Sequence, residues 1–146
     1  MDRKYAKLFV DYLDGGEFYA ANFKDGQQVS VTRVLPHLDH LGDHVEILDY
    51  EKVDRVIDGA EYFSISNCSC RHKKHHAGGE VCKVPLETCT SFGKAADYLV
   101  RRGMARAISR AEMKDVAQRS KELKLVFSVD NVQNQPGFLC HCCGCC

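Results

Sequence analysis

The spacing of apolar residues predicts a chain that mixes helices with short strands. Between residues 5 and 13, tyrosine, leucine and phenylalanine recur three and four positions apart, and Gly15-Gly16 follows, which predicts an amphipathic helix with a glycine stop. Residues 29–35 alternate between apolar and polar side chains up to Pro36, which predicts a strand. Asp49 is placed to cap a second helix, whose buried stripe includes Val53 and three later apolar residues.

A strand, a loop and a helix are predicted around the first four cysteines. Residues 62–66 alternate as a short strand that leads directly into Cys68 and Cys70. A polar, solvent-exposed loop is predicted from Arg71 to Glu80. A third helix is predicted to begin at Cys89, because apolar residues recur at helical spacing after it; the helix dipole would then favour a thiolate there.

A fourth helix and a last strand separate the two groups of cysteines. Gly103 is expected to end the third helix, and Ser109 with Glu112 forms a capping-box pair that opens the fourth. The face of this helix that we expect to be buried carries Met113, Val116, Ala117 and Ser120. Residues 125–129 predict a strand, and Asn131 to Gly137 predicts a turn-rich approach to the tail. The sequence therefore predicts an α+β fold with about four helices, short strands and a cysteine-rich metal-binding region.

Length and composition indicate a globular, soluble chain. The 146 residues are enough for one domain or two small ones, and 45% hydrophobic residues can form a core, which argues against disorder. The N-terminus lacks the apolar segment of a signal peptide, and no run approaches the roughly 20 apolar residues that cross a membrane. We therefore expect a cytoplasmic protein without membrane association.

Charge divides the chain into an acidic and a basic region. Residues 1–60 carry 7 Lys or Arg against 12 Asp or Glu, whereas residues 61–146 carry 13 against 8, so the net charges are −5 and +5. We predict an acidic N-terminal region over 1–60 and a cysteine-rich, iron–sulfur-binding region over 61–146. A basic region suits an anionic iron–sulfur cluster. The stretch 71–76 could contact phosphate, but this charge is ordinary for a solvated surface, so no nucleic-acid partner is expected.

The cysteines indicate metal binding. The chain has nine, all after residue 67, and five of them lie in the last seven residues. They are Cys68, Cys70, Cys82, Cys89, Cys140, Cys142, Cys143, Cys145 and Cys146. Overlapping C-x-x-C pairs in the tail are typical of zinc and iron–sulfur sites. Disulfides are the alternative, yet a reducing cytosol and an odd count favour metal ligation.

The spacing of the cysteines alone does not determine which of them bind the same metal ion or cluster. One interpretation assigns Cys68, Cys70, Cys82 and Cys89 to one cluster and four of the five tail cysteines to a second; the alternative is a mixed site that draws on both groups. The same spacing allows zinc. Three histidines after the first predicted strand, His37, His40 and His44, are interpreted as surface residues rather than ligands.

Three segments carry a family resemblance: Asn67-Cys68-Ser69-Cys70-Arg71, the stretch from Cys82 to Gly93, and Leu139 to Cys146. Together they resemble the cysteine-rich region of a family of 4Fe–4S ferredoxin-type proteins of anaerobic bacteria and archaea, over roughly residues 30–146. The resemblance implies an iron–sulfur protein of electron transfer, a domain or subunit of a larger redox system with a redox partner protein. That family region is commonly followed by a two-cluster ferredoxin segment, which this sequence lacks, so we expect a fragment or a short variant.

These observations lead to one preferred function and two alternatives. We expect one or two 4Fe–4S clusters and electron transfer. A structural zinc module for protein or nucleic-acid interaction is the main alternative, and redox sensing by thiols or a cluster is the other. The sequence has no G-x-G-x-x-G, P-loop or G-x-S-x-G motif, so a non-catalytic electron carrier is favoured over an enzyme.

Overall fold

The computed structural model describes residues 3–15, 32–37, 52–78, 82–132 and 135–144. Within these ranges the chain forms five helices and six strands. The helices are α1 (Arg3–Gly15), α2 (Val53–Asp58), α3 (Ser69–Ala77), α4 (Gly93–Arg101) and α5 (Arg110–Glu122). The strands are β1 (Thr32–Leu35), β2 (Phe63–Asn67), β3 (Glu87–Phe92), β4 (Arg106–Ile108), β5 (Val126–Asp130) and β6 (Phe138–Cys142).

All six strands belong to one antiparallel sheet in the order β1-β5-β6-β3-β2-β4. Strand β1 from the acidic region pairs with β5, and β3 and β6 pair at the centre. The α+β class predicted from the sequence is confirmed, with five described helices where about four were expected. None of the helices in the described ranges is both long and apolar enough to cross a membrane.

The hydrophobic core lies on one face of this sheet. Phe127 and Val129 of β5 face His141 and Leu139 of β6, and all four side chains are buried. Because side chains alternate along a strand, Cys140 and Cys142 point to the opposite face. Helices α2 and α5 cover this face of the sheet. Their side chains in the core are Val53, Val56, Ile57, Met113 and Ala117. The sheet therefore has a core face and a cysteine face.

Several local predictions are confirmed. Strands β1, β2 and β5 lie within one residue of their predicted bounds over the part described, and the Ser109 Oγ accepts the backbone N–H of Glu112 at 3.1 Å. The predicted buried face of α5 is buried. Gly103 follows α4 with a φ of +67°, as expected of a helix stop. Asp49 lies outside the described residues, and α2 begins at Val53.

The loop predicted from Arg71 to Glu80 is wrong over residues 71–77, because Ser69–Ala77 forms helix α3; residues 79 and 80 lie outside the described residues. This helix ends at Gly78, whose φ of +86° lets its N–H donate to the Lys74 carbonyl. It has no apolar stripe, so helical periodicity gave no signal. Contacts made elsewhere hold it: α3 packs against α1, with the Lys73 ammonium over the Phe9 ring at 5.6 Å.

The predicted helix start at Cys89 is also wrong. Cys89 lies inside strand β3, and the following helix begins at Gly93. Strand β3 pairs with β2 on one side and β6 on the other, and Thr88 and Thr90 beside the cysteine favour a strand. No helix dipole therefore acts on the Cys89 thiol in the predicted way.

Candidate metal centre

Seven of the nine predicted ligands lie in the described residues, on elements that meet at one end of the sheet. Cys68 precedes the first residue of α3 and Cys70 lies in its first turn, Cys82 lies on the approach to β3, Cys89 is in β3, Cys140 and Cys142 are in β6, and Cys143 follows directly. Cys145 and Cys146 fall outside the described residues. Strands β3 and β6 are neighbours, so the first group and the tail are brought together.

The thiols contact one another across these two groups. The sulfurs of Cys82 and Cys143 are 3.2 Å apart, although they are separated by 61 positions in the sequence. Strands β3 and β6 are antiparallel, and Thr90 pairs with Leu139. The next position of this register places Cys89 opposite Cys140, and the two thiols form a hydrogen bond. These two pairs each join one early cysteine to one tail cysteine.

Arg71 lies at the centre of this cluster and is completely buried. Its Nε donates to the Cys143 sulfur at 3.3 Å, and its Nη1 donates to the Pro85 carbonyl at 2.9 Å. The guanidinium also donates to the Thr88 hydroxyl and to the His141 carbonyl. One side chain therefore connects α3, the segment before β3, β3 itself and β6. The sequence placed Arg71 on an exposed loop, and its position directly after two cysteines was the only available signal.

Hydrogen bonds between the thiols shift their pKa values in opposite directions. The pKa of Cys89 is lowered to about 7 because the Cys140 thiol hydrogen bonds to it, and the pKa of Cys142 is lowered to about 7 for the same reason. The pKa of Cys140 is raised, because its proton is held between these two sulfurs. The positive charge of Arg71 further favours the thiolates of Cys89 and Cys142. The arrangement thus favours thiolates at Cys89 and Cys142 but not at Cys140, and the hydrogen bond with Cys70 raises the pKa of Cys68 as well.

The histidine between the tail cysteines belongs to the core. Burial lowers the pKa of His141 to about 3, so the ring is neutral. Its Nε2 lies 3.2 Å from the Thr90 hydroxyl, and its ring meets Phe127 edge-on. His37, predicted as a surface residue, is half-buried and lies 4.7 Å from the Phe127 ring, measured between ring centroids. His40 and His44 lie outside the described residues.

Clustered cysteines are chemically suited to a metal–thiolate centre, but the sulfurs contact one another as hydrogen-bonded thiols. In the described part of the chain, no three Cys, His, Asp or Glu side chains are arranged to hold a metal ion. With Zn–S bonds of about 2.3 Å, two sulfurs of a tetrahedral site lie about 3.8 Å apart. The Cys82 and Cys143 sulfurs, at 3.2 Å, would have to separate slightly. The donor set therefore fits a metal by its chemistry, whereas the positions of the sulfurs are those of hydrogen-bonded thiols.

No protein-family model, curated protein or solved structure matches the chain. A functional assignment therefore rests on the residues of the chain itself.

Proposed function

We propose that the cysteine cluster binds one or two 4Fe–4S clusters and that the chain transfers electrons to a redox partner protein within a larger redox system. The observation that carries the proposal is the buried guanidinium of Arg71, which donates to Cys143 and whose charge acts on Cys89 and Cys142. Arginine keeps its charge at any physiological pH, and burying that charge is costly unless it meets negative charge or good acceptors. Iron–sulfur clusters with thiolate ligands are anionic, so the cation and the proposed group are complementary.

Contacts between the two cysteine groups support a mixed ligand set. Cys82 lies against Cys143, and Cys89 lies against Cys140. In a 4Fe–4S cluster each thiolate binds a different iron, so both pairs would have to move apart to admit a cluster between the two groups. We therefore favour at least one cluster whose ligands come from both the early cysteines and the tail.

Each part of the site has a distinct role in this proposal. The bound group would supply one-electron redox chemistry. The thiolates would hold the irons, and the N–H donated by Arg71 to the Cys143 sulfur would withdraw negative charge and favour the reduced state. Among the described cysteines Cys70 alone is exposed, which gives the site an edge that a partner protein could approach.

The first test is analysis of iron, zinc and acid-labile sulfide in protein purified without oxygen, together with a visible spectrum. We expect about four or about eight iron and sulfide per chain and a broad visible band that dithionite bleaches. Zinc without sulfide and without visible absorbance would overturn the proposal in favour of the structural zinc module.

Single substitutions test the mixed ligand set. Cys82→Ser and Cys143→Ser should each reduce the iron and sulfide content, and the double variant should lose no more than the more affected single variant, because both ligands serve one cluster. Ser91→Ala, a buried residue of β3 outside the cysteine set, is the control and should keep its iron. Additive losses in the double variant would indicate two clusters with separate ligand sets.

A further inference from the structure

Helix α3 carries two histidines whose ring nitrogens meet outside the cysteine cluster. The Nε2 atoms of His72 and His76 are 2.9 Å apart, and the ring centroids are 4.5 Å apart. Residues four positions apart share one face of a helix, so the backbone itself holds the rings together. Both rings are half-buried and remain accessible from solvent. We propose that His72 and His76 form a second metal site, a two-histidine chelate for a divalent transition-metal ion.

The distance between the nitrogens indicates which ions fit. With metal–nitrogen bonds of about 2.0–2.1 Å, a separation of 2.9 Å corresponds to an N–metal–N angle of about 90°. A tetrahedral angle would require about 3.3 Å between the nitrogens. An angle near 90° belongs to octahedral and tetragonal coordination, which Ni²⁺ and Cu²⁺ adopt with nitrogen ligands. The separation of the nitrogens therefore matches Ni²⁺ or Cu²⁺ coordination more closely than that of tetrahedral Zn²⁺.

Two of the neighbouring cations, Arg71 and Lys73, point away from this pair. The Arg71 guanidinium is directed into the cysteine cluster, where it donates to Cys143. The Lys73 ammonium lies over the Phe9 ring of α1. Neither charge is directed at the imidazole nitrogens, so the repulsion that these two basic residues would impose on a bound cation is reduced.

Two protein ligands make a partial coordination shell. No third Cys, His, Asp or Glu completes the site within the part of the chain that the structure describes, so water would fill the other positions. Such a site would bind by imidazole alone and is chemically distinct from the thiolates. The proposal therefore stands whether or not the cysteines hold iron–sulfur clusters.

His75 provides a matched control. It lies in the same helix, is exposed, and its ring meets His76 edge-on at 5.5 Å, outside the pair of hydrogen-bonded nitrogens. His72→Ala, His75→Ala and His76→Ala each remove one imidazole. Alanine has a higher helix propensity than histidine, so none of the three substitutions should unfold α3.

The test is a calorimetric titration of the untagged, anaerobically purified protein with Ni²⁺, with absorbance recorded in parallel. Nickel bound to thiolate gives intense ligand-to-metal charge-transfer bands, whereas nickel bound to imidazole does not, so the two kinds of site are distinguishable. We expect one equivalent of Ni²⁺ to bind without those bands. Loss of one ligand should weaken it at least about tenfold, since loss of an outer-shell partner alone costs about 10–100-fold.

Three outcomes decide the proposal. Weakening in His72→Ala and His76→Ala, with affinity in His75→Ala unchanged within about twofold, would support it. Equal weakening in all three variants would overturn it, because the ion would then be held by diffuse contact with several histidines. Binding seen only with thiolate bands would also overturn it and would place nickel at the cysteines. In that case the contact between His72 and His76 is an N–H···N hydrogen bond and nothing more.

Discussion

Replacement of Arg71 by methionine tests whether the buried guanidinium organises the cysteine cluster. Methionine keeps a long unbranched side chain and removes the charge and every donor. Four hydrogen bonds are lost, to Cys143, Pro85, Thr88 and His141. Removing one partner of a buried charged network costs about 3–5 kcal/mol, because the acceptors stay buried without donors. This is a large share of a typical unfolding free energy of about 5–15 kcal/mol.

Arg71→Lys separates charge from hydrogen-bonding geometry. Lysine keeps the positive charge, but its single ammonium cannot reach four acceptors that surround a planar fork. We expect Arg71→Lys to lose stability and to retain bound iron better than Arg71→Met. If the cluster is present, Arg71→Met should lower its midpoint potential more than Arg71→Lys, because the reduced cluster is the more negative state.

The assay is urea unfolding of the cluster-free, reduced protein, followed by iron content and potential on the loaded protein. Arg106→Met is the matched control: Arg106 pairs with Glu87 and Glu112, but its side chain is half exposed and water screens both ion pairs, so the loss of stability should be much smaller than in Arg71→Met. Equal destabilisation by Arg71→Met and Arg106→Met would refute the argument from burial. Wild-type iron content and potential in Arg71→Met would refute its role beside the thiolates.

Other predictions concern the fold that carries the site. Phe127→Ala removes a fully buried ring and should cost about 3–5 kcal/mol in urea unfolding, whereas Val126→Ala on the same strand is exposed and should cost less than about 1 kcal/mol. Ser109→Ala removes the cap of α5 and should lower the unfolding free energy by about 1 kcal/mol, and Ser109→Asp should restore most of it. Gly78→Ala should cost about 1–2 kcal/mol in the same assay, because its φ of +86° is unfavourable for a side chain. If any of these variants lost no more unfolding free energy than Val126→Ala, the stabilising role assigned to the residue it replaces would be wrong.

Local signals explain which elements could be predicted from the sequence. Helix α5 has both a capping residue, Ser109, and an apolar stripe that includes Met113, so two independent patterns agree. Helix α3 has neither: no side chain caps its N-terminus, and its one buried residue is Arg71. It is held by contacts with α1 and with the cysteine cluster, which no local pattern contains.

The environment of Cys89 shows the same limit for a strand. Its neighbours fit a helical stripe and a strand equally well over a short segment. Hydrogen-bonded pairing with β2 and with β6 determines that this segment is a strand, and β6 lies about fifty positions away in the sequence. The gathering of the early cysteines with the tail follows from that long-range pairing. The cysteine count and types were therefore readable from the sequence, whereas the pairs formed by Cys82 with Cys143 and Cys89 with Cys140 were not.

Strand β6 links the stability of the core to the placement of the thiols. Leu139 and His141 are buried on the core face, and Cys140 and Cys142 alternate with them toward the other face. A slip of one residue would exchange the two sets, because side chains alternate with a period of two. It would expose Leu139, at a cost of about 1.5–3 kcal/mol, and would bury the thiols in the core. Burial of the apolar residues of β6 in the core therefore sets the face to which Cys140 and Cys142 point.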